Sequence, residues 1–265
     1  MTVFDWIEQA RALPAQGLEM YEGFFPSLNQ DYLDQVRSAV QDAGFQIPML
    51  CCSPDFTHPD ADFRAREVER EAELIRASHR LGGAGTVCRV LTGQRYPEVE
   101  REQGLEWVFE AIRKVLPVAQ EYGVVLGLEN HYKDGKWQYP EFAQKQDLFL
   151  QVVAEFRGNP AFGVQYDPSN ALVAGDDPIA LLEAVAGSVV SMHASDRHLA
   201  PDGTLQHGVT GKGVNDYPAI FSILARSGYR GWVSIEDGVN GMDEMRESLE
   251  FLHRMNRRYF PQDAL

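Results

Sequence analysis

The sequence predicts an α/β fold: a (β/α)8 TIM-type barrel from which the first strand is missing, with seven recognisable strands and about eight helices. Three observations predict it. Short β-rich runs that end in polar residues alternate with longer runs of helical periodicity along the chain. The strand candidates are apolar nearly throughout, as in strands buried on both faces, rather than alternating. No GxGxxG follows the first strand and no Walker sequence occurs, so the nucleotide-binding open sheets lose their main cue and the barrel leads.

The elements follow in order. Residues 3–13 read as a helix that precedes any strand, whereas a closed barrel of this type begins with a strand. The first strand candidate is GLEMYEGFF (17–25), followed by IPMLCCS (47–53). Val68, Ala72 and Ile75 form an apolar helical stripe ahead of TVCRVLT (86–92). Leu105, Val108, Phe109, Ile112, Leu116 and Ala119 share one face of a helix in which Pro117 lacks the N–H of the preceding turn and should introduce a kink. Then come VVLGLEN (124–130), FGVQYDP (162–168), VVSMHAS (189–195) and GWVSIED (231–237). Met245, Leu249, Leu252 and Met255 mark the last helix, and Gly44, Gly123 and Gly228 stand where C-caps are expected. A missing strand leaves two sheet edges to be covered or paired. No linker, repeat or low-complexity tract interrupts residues 1–265, which are taken as one domain.

Composition narrows the partners. The chain is 44% hydrophobic, enough for a sizeable core, and has no run of about 18 apolar residues that would span a membrane. A net charge of −15 repels phosphate backbones, and no Lys/Arg cluster offsets it, so nucleic acid is excluded as a partner. The N-terminus carries early acidic residues and no apolar core of a signal peptide. Cys51, Cys52 and Cys88 form no CxxC and are expected as reduced thiols of a cytoplasmic protein.

Four successive strands end in metal-type ligands: Glu129 (LGLEN), Asp167 (VQYDPSN), His193 (SMHASD) and Glu236 (VSIEDG). Alone, each is ordinarily a solvated residue, a helix cap or a structurally satisfied histidine. Together, at equivalent positions of adjacent parallel strands, they converge on one mouth. Three carboxylates and one imidazole make a hard site suited to Mn²⁺, Mg²⁺ or Co²⁺. His131 shares a face with Glu129 and is a candidate proton shuttle. Lys212 is a candidate partner for an anionic group, and Trp137 sits in an aromatic loop (131–142) that could cover a sugar. Arg89, inside a strand, needs a charged partner, and Glu129 is the candidate.

The ordered set ENH, DPSN, HASD and SIED, with the ending GKGVNDYPAIFSILARSGYRGWVSIED, resembles the xylose isomerase-like barrel superfamily from residue 17 onward. The resemblance implies that Glu129, Asp167, His193 and Glu236 hold one divalent ion, usually Mn²⁺, and that Glu129 and Glu236 form an acid/base pair acting on an enediolate. It departs from the ketose 3-epimerases of that superfamily at two places. Asn170 stands where they carry His, and Leu199 where they carry Arg, while Arg197 lies two positions earlier. Asn170 and Arg197 therefore join Lys212 and Trp137 as substrate-binding candidates.

The leading expectation is a metal-dependent isomerase or epimerase of a small sugar or keto-sugar, phosphorylated or acidic forms included. The alternatives are a lyase on the same metal site (dehydratase, decarboxylase or glycoside-eliminating enzyme) and a non-catalytic subunit of a hetero-complex. Assembly as a homo-oligomer stays open. Endonuclease IV shares the fold, but its three metals need more His and acidic ligands and a basic face.

Overall fold

The computed structural model describes residues 1–236 and 240–261. The chain opens with helix α1 (Val3–Ala10), closed at its start by a reciprocal cap: the Thr2 hydroxyl accepts from Asp5 N–H, and the Asp5 carboxylate accepts from Thr2 N–H. Then come β1 (Met20–Tyr21), α2 (Gln30–Asp42), β2 (Met49–Cys51), α3 (Ala61–Gly82), β3 (Val87–Val90), α4 (Arg101–Tyr122), β4 (Val125–Glu129), α5 (Gln146–Phe156) and β5 (Phe162–Tyr166). The second half contains α6 (Pro168–Ala174), α7 (Pro178–Val185), β6 (Val189–His193), β7 (Asp196–Leu199), β8 (Leu205–Gly208), α8 (Tyr217–Arg226), β9 (Trp232–Ser234) and α9 (Met242–Tyr259).

Seven strands form one curled sheet in the order β1-β2-β3-β4-β5-β6-β9, every neighbouring pair parallel. All seven strand expectations correspond to these strands, though each ladder is shorter than the apolar run that marked it. The polar ends stand at or just beyond the last paired residues: Glu129 and His193 are still in register with Gln165 and Ser234, while Asp167 and Glu236 follow their strands. The antiparallel hairpin β7–β8 was not anticipated. Nine α-helices stand among the described residues rather than about eight, because the run after β5 breaks at Gly175, which adopts a left-handed conformation, and restarts at Pro178 under an Asp177 cap.

The core lies between the sheet and the helices. Helix α4 buries Leu105, Val108, Ile112, Leu116 and Ala119 on the face that its spacing predicts. Fully burying one such aliphatic side chain stabilises the fold by about 1.5–3 kcal/mol. The helix runs as one element through Pro117 and stops at Gly123, whose φ of 65° satisfies the left-handed C-cap at no steric cost.

Where an eighth strand would stand, β1 and β9 face each other without a backbone ladder among the described residues. Side chains bridge the seam instead. The Ser234 hydroxyl donates to Glu19 Oε1 at 2.6 Å. The Trp232 indole lies against Gly17, where a Cβ would come within 3.0 Å of the ring, so glycine is what lets the two edges approach. Trp6 of α1 and Met245 and Leu249 of α9 cover the seam and leave a cavity of about 180 Å³ beneath them. The exposed edges expected from the missing strand are thus covered by helices rather than paired.

Candidate active site and metal centre

A cavity of about 430 Å³ opens at the C-terminal ends of the strands, lined by residues that include Glu19, Arg89, Asp167, His193, Arg197 and Glu236. The cavity at the opposite rim, about 380 Å³, is lined by Ile47, Pro48 and Thr86 and has one ionisable side chain, Arg37. The first is therefore the candidate site.

Each ligand candidate owes its place to the strand before it. Glu129 closes β4, Asp167 follows β5 as the N-cap of α6, His193 closes β6, and Glu236 lies just beyond β9. Ligand atoms of these four residues all lie within 4.8 Å of one another. His193 Nδ1 is 3.1 Å from Glu129 Oε1 and 3.2 Å from Glu236 Oε2.

The surroundings fix each group. Glu129 is 1% exposed; its Oε2 accepts from Arg89 at 2.8 Å, and its Oε1 accepts from the Asn170 amide at 3.2 Å. Arg89 also lies 3.7 Å from Glu236, so the strand arginine is partnered as its burial demands. Asp167 accepts from Asn170 N–H at 2.9 Å and from the Ser195 hydroxyl at 2.8 Å. The Asn130 side chain clamps the Asp167 backbone from both sides, donating to its C=O at 2.6 Å and accepting from its N–H at 2.9 Å.

Packing acidic groups this closely has an electrostatic cost. Burial, with the charges of Glu236 and Glu129 added to it, pushes the Asp167 carboxyl up to about 8. Against burial and the charge of Glu236, Arg89 and His193 hold Glu129 below the usual carboxylate range. Against burial, His193 and Arg89 hold Glu236 low as well. Against its own burial, the carboxylates of Glu236, Glu19 and Glu129 push His193 well up. The chemistry of this donor set, three carboxylates and an imidazole, fits a divalent cation.

Glu19 was not singled out in the sequence. Its Oε2 lies 3.0 Å from His193 Nε2, while its Oε1 takes the Ser234 hydroxyl across the seam. A carboxylate on the far nitrogen orients the ring with Nδ1 toward Glu129 and Glu236. Glu19→Gln is expected to weaken Mn²⁺ affinity by about 10–100-fold, read by calorimetric titration of the ion; unchanged affinity would remove Glu19 from this role. A charged residue inside an apolar strand is the signal that could have found it, as it found Arg89.

The other candidates divide. Asn170, Arg197 and His131 line or touch the cavity. His131 Nδ1 stands 3.6 Å from Glu141 Oε2, beyond hydrogen-bond reach. Trp137 packs edge-on to His131 with ring centroids 6.3 Å apart and does not line the cavity; Tyr132 and Lys133 of the same loop do. Lys212 is not brought to the mouth. Its ammonium pairs with Glu247 at 2.6 Å on the surface, beside a separate small cavity. The three cysteines are buried and unlinked, and no described helix is long and apolar enough to cross a membrane.

Comparison with known proteins places the fold. The chain is 31% identical over 154 residues to the rhizopine catabolism protein MocC of Rhizobium meliloti, a match covering 51% of this chain and 44% of that protein. It is 30% identical over 118 residues to a 3-oxo-isoapionate decarboxylase of Pectobacterium atrosepticum, covering 43% of this chain and 39% of that one. The matched segments thus span less than half of either relative. The crystal structure of a D-tagatose 3-epimerase-like protein superposes with a TM-score of 0.79 at 17% identity, over 96% of this chain and 93% of that one, which is a likeness of fold. The family model described as xylose isomerase-like TIM barrel matches residues 7–255, nearly the whole length, and the chain belongs to the xylose isomerase-like TIM barrel family.

Proposed function

We propose that the protein is a divalent-metal-dependent isomerase or epimerase of a sugar or keto-sugar, with Glu129 and Glu236 as its acid/base pair. The observation that carries this is the meeting of Glu129, Asp167, His193 and Glu236, with ligand atoms within 4.8 Å, at the mouth of the barrel. Three carboxylates and an imidazole fit a hard ion, Mn²⁺ first and Mg²⁺ or Co²⁺ next. When bound, such an ion supplies Lewis-acid polarisation of a substrate carbonyl.

The chain's own residues do the rest. One carboxylate removes the proton next to the carbonyl; the C–H electron pair moves toward the carbonyl oxygen and leaves an enediolate. Isomerisation follows when the protonated carboxyl gives the same proton to the neighbouring carbon; inversion follows when the opposite carboxylate, protonated from solvent, delivers its proton to the other face and the first carboxyl releases its own to solvent. Arg89 keeps Glu129 anionic and ready to accept. Glu236, whose side chain is 31% exposed, is the member of the pair open to substrate. Asn170 bridges Glu129 and the Asp167 turn and offers a polar edge for a hydroxyl. A cytoplasmic setting with reduced thiols suits this chemistry.

The likeness to a protein named as a decarboxylase supports a second reading, a lyase on the same site, in which the electron pair comes from a breaking C–C or C–O bond. Incubation of Mn²⁺-loaded protein with keto-sugars in D₂O tests both. Deuterium on recovered ketose is the expected result. Loss of CO₂ or water transfers the assignment to a lyase, and inertness of a fully metal-loaded protein toward ketoses and sugar acids alike makes it a non-catalytic subunit.

A further inference from the structure

Arg197 is a buried cation without an anionic partner among the described residues. It is 6% exposed, yet its buried Nε has no hydrogen-bond partner, and its guanidinium forms no salt bridge among the described residues. Burying an unpaired charge costs several kcal/mol, so such a group implies a missing partner.

Among the described residues the neighbouring carboxylates are engaged elsewhere, Glu236 with His193 Nδ1 at 3.2 Å. Asp196, next in sequence, accepts the backbone N–H groups of Arg197 and Asn215 on Oδ1, and of Gly211 and Gly213 on Oδ2. Glu129 is taken by Arg89, Asp167 by Ser195 and Asn170, and Asp134 by Ser53. What remains beside Arg197 is the cavity that it lines together with Glu236 and Lys133. Its guanidinium carbon sits 5.6 Å from the centre of the Tyr132 ring, which orients the flat group, and the β7–β8 hairpin holds its backbone.

We infer that the substrate carries a carboxylate, bound by Arg197, so that the enzyme acts on a sugar acid rather than a neutral sugar. A single flat guanidinium presents two parallel N–H donors that match the two oxygens of a carboxylate. A phosphate dianion is ordinarily met by several donors at once, and here one partly exposed lysine, Lys133, is the other cation lining the cavity without an acidic partner among the described residues. The inference rests on the reaction proposed for this cavity, but its test reads binding alone.

The test is calorimetric titration of the Mn²⁺-equilibrated protein with D-gluconate, D-glucitol and D-glucitol 6-phosphate, in the wild type and in Arg197→Met. Gluconate is expected to bind at least about tenfold tighter than glucitol, the scale of one charge-assisted pair, with the phosphate no better than gluconate. In Arg197→Met the gluconate-to-glucitol ratio should fall to near one, while the unfolding midpoint stays at or above that of the wild type because the buried charge is gone. Equal wild-type affinities, a preference for the phosphate, or a variant that keeps the wild-type ratio would overturn the inference. Metal content measured on the same samples tests the metal-dependent reading separately, so the two can fail independently.

Discussion

Replacing Glu129 with Gln is expected to slow solvent-proton exchange into a bound keto-substrate by about 10³-fold and to lower stability by about 3 kcal/mol. Two consequences meet at one atom pair. The variant removes a proton acceptor of the proposed reaction. It also strips Arg89, itself 4% exposed, of the carboxylate 2.8 Å away. Adding Arg89→Met to Glu129→Gln should regain part of the stability and none of the exchange, because the uncompensated charge disappears while the acid/base group stays absent. Urea denaturation of the single and double variants reads the first effect, and deuterium incorporation followed by NMR reads the second. A single variant as stable as the wild type would show that the Arg89–Glu129 pair contributes no net stability; one that exchanges at the wild-type rate would remove Glu129 from the reaction.

The second large effect is stabilisation by the ion. At a Mn²⁺ concentration 100-fold above its dissociation constant, stability should rise by about 2.7 kcal/mol, a midpoint shift of roughly 5–10 °C for a chain of this size. Asp167→Asn should lose most of that shift. It should also change the pH dependence of the ion-free protein in a defined direction. The Asp167 carboxyl is pushed from its ordinary 3.8 up to about 8 in the fold, so the folded state holds the proton more tightly than the unfolded chain. Its stabilising contribution is complete below pH about 4 and declines as pH rises toward 8. The asparagine variant lacks that decline and should overtake the ion-free wild type at the alkaline end. Thermal unfolding between pH 5 and pH 9, with and without Mn²⁺, checks both statements; a wild type indifferent to Mn²⁺ would contradict the assignment of a metal centre.

The ring of strands was legible because parallel strands covered on both faces must be apolar along their length, and seven such runs stand out from the helices between them. The four ligand candidates were legible because strand ends are where that apolar run must stop, so a carboxylate or imidazole there is conspicuous. The hairpin β7–β8 was not, since its Asp196, Arg197, His198 and Gln206 follow no apolar pattern; the Asp202-Gly203 turn was its one local cue. Lys212 and Trp137 went elsewhere for a related reason. Loop residues carry no periodicity to say which way they point, and in each case a nearer partner, Glu247 or His131, claimed the side chain. Glu19 escaped because the strand around it was read as nine residues ending at position 25. In the structure the ladder is two residues long, and the chain leaves it in a 3₁₀ turn at once.

The joint between β1 and β9 gives the molecule a property that a fully laddered ring would not have. One carboxylate, Glu19, touches both Ser234 across that joint and the far nitrogen of His193, a candidate metal ligand. Whatever tightens His193 from inside therefore pulls on the fastening between the first and last staves.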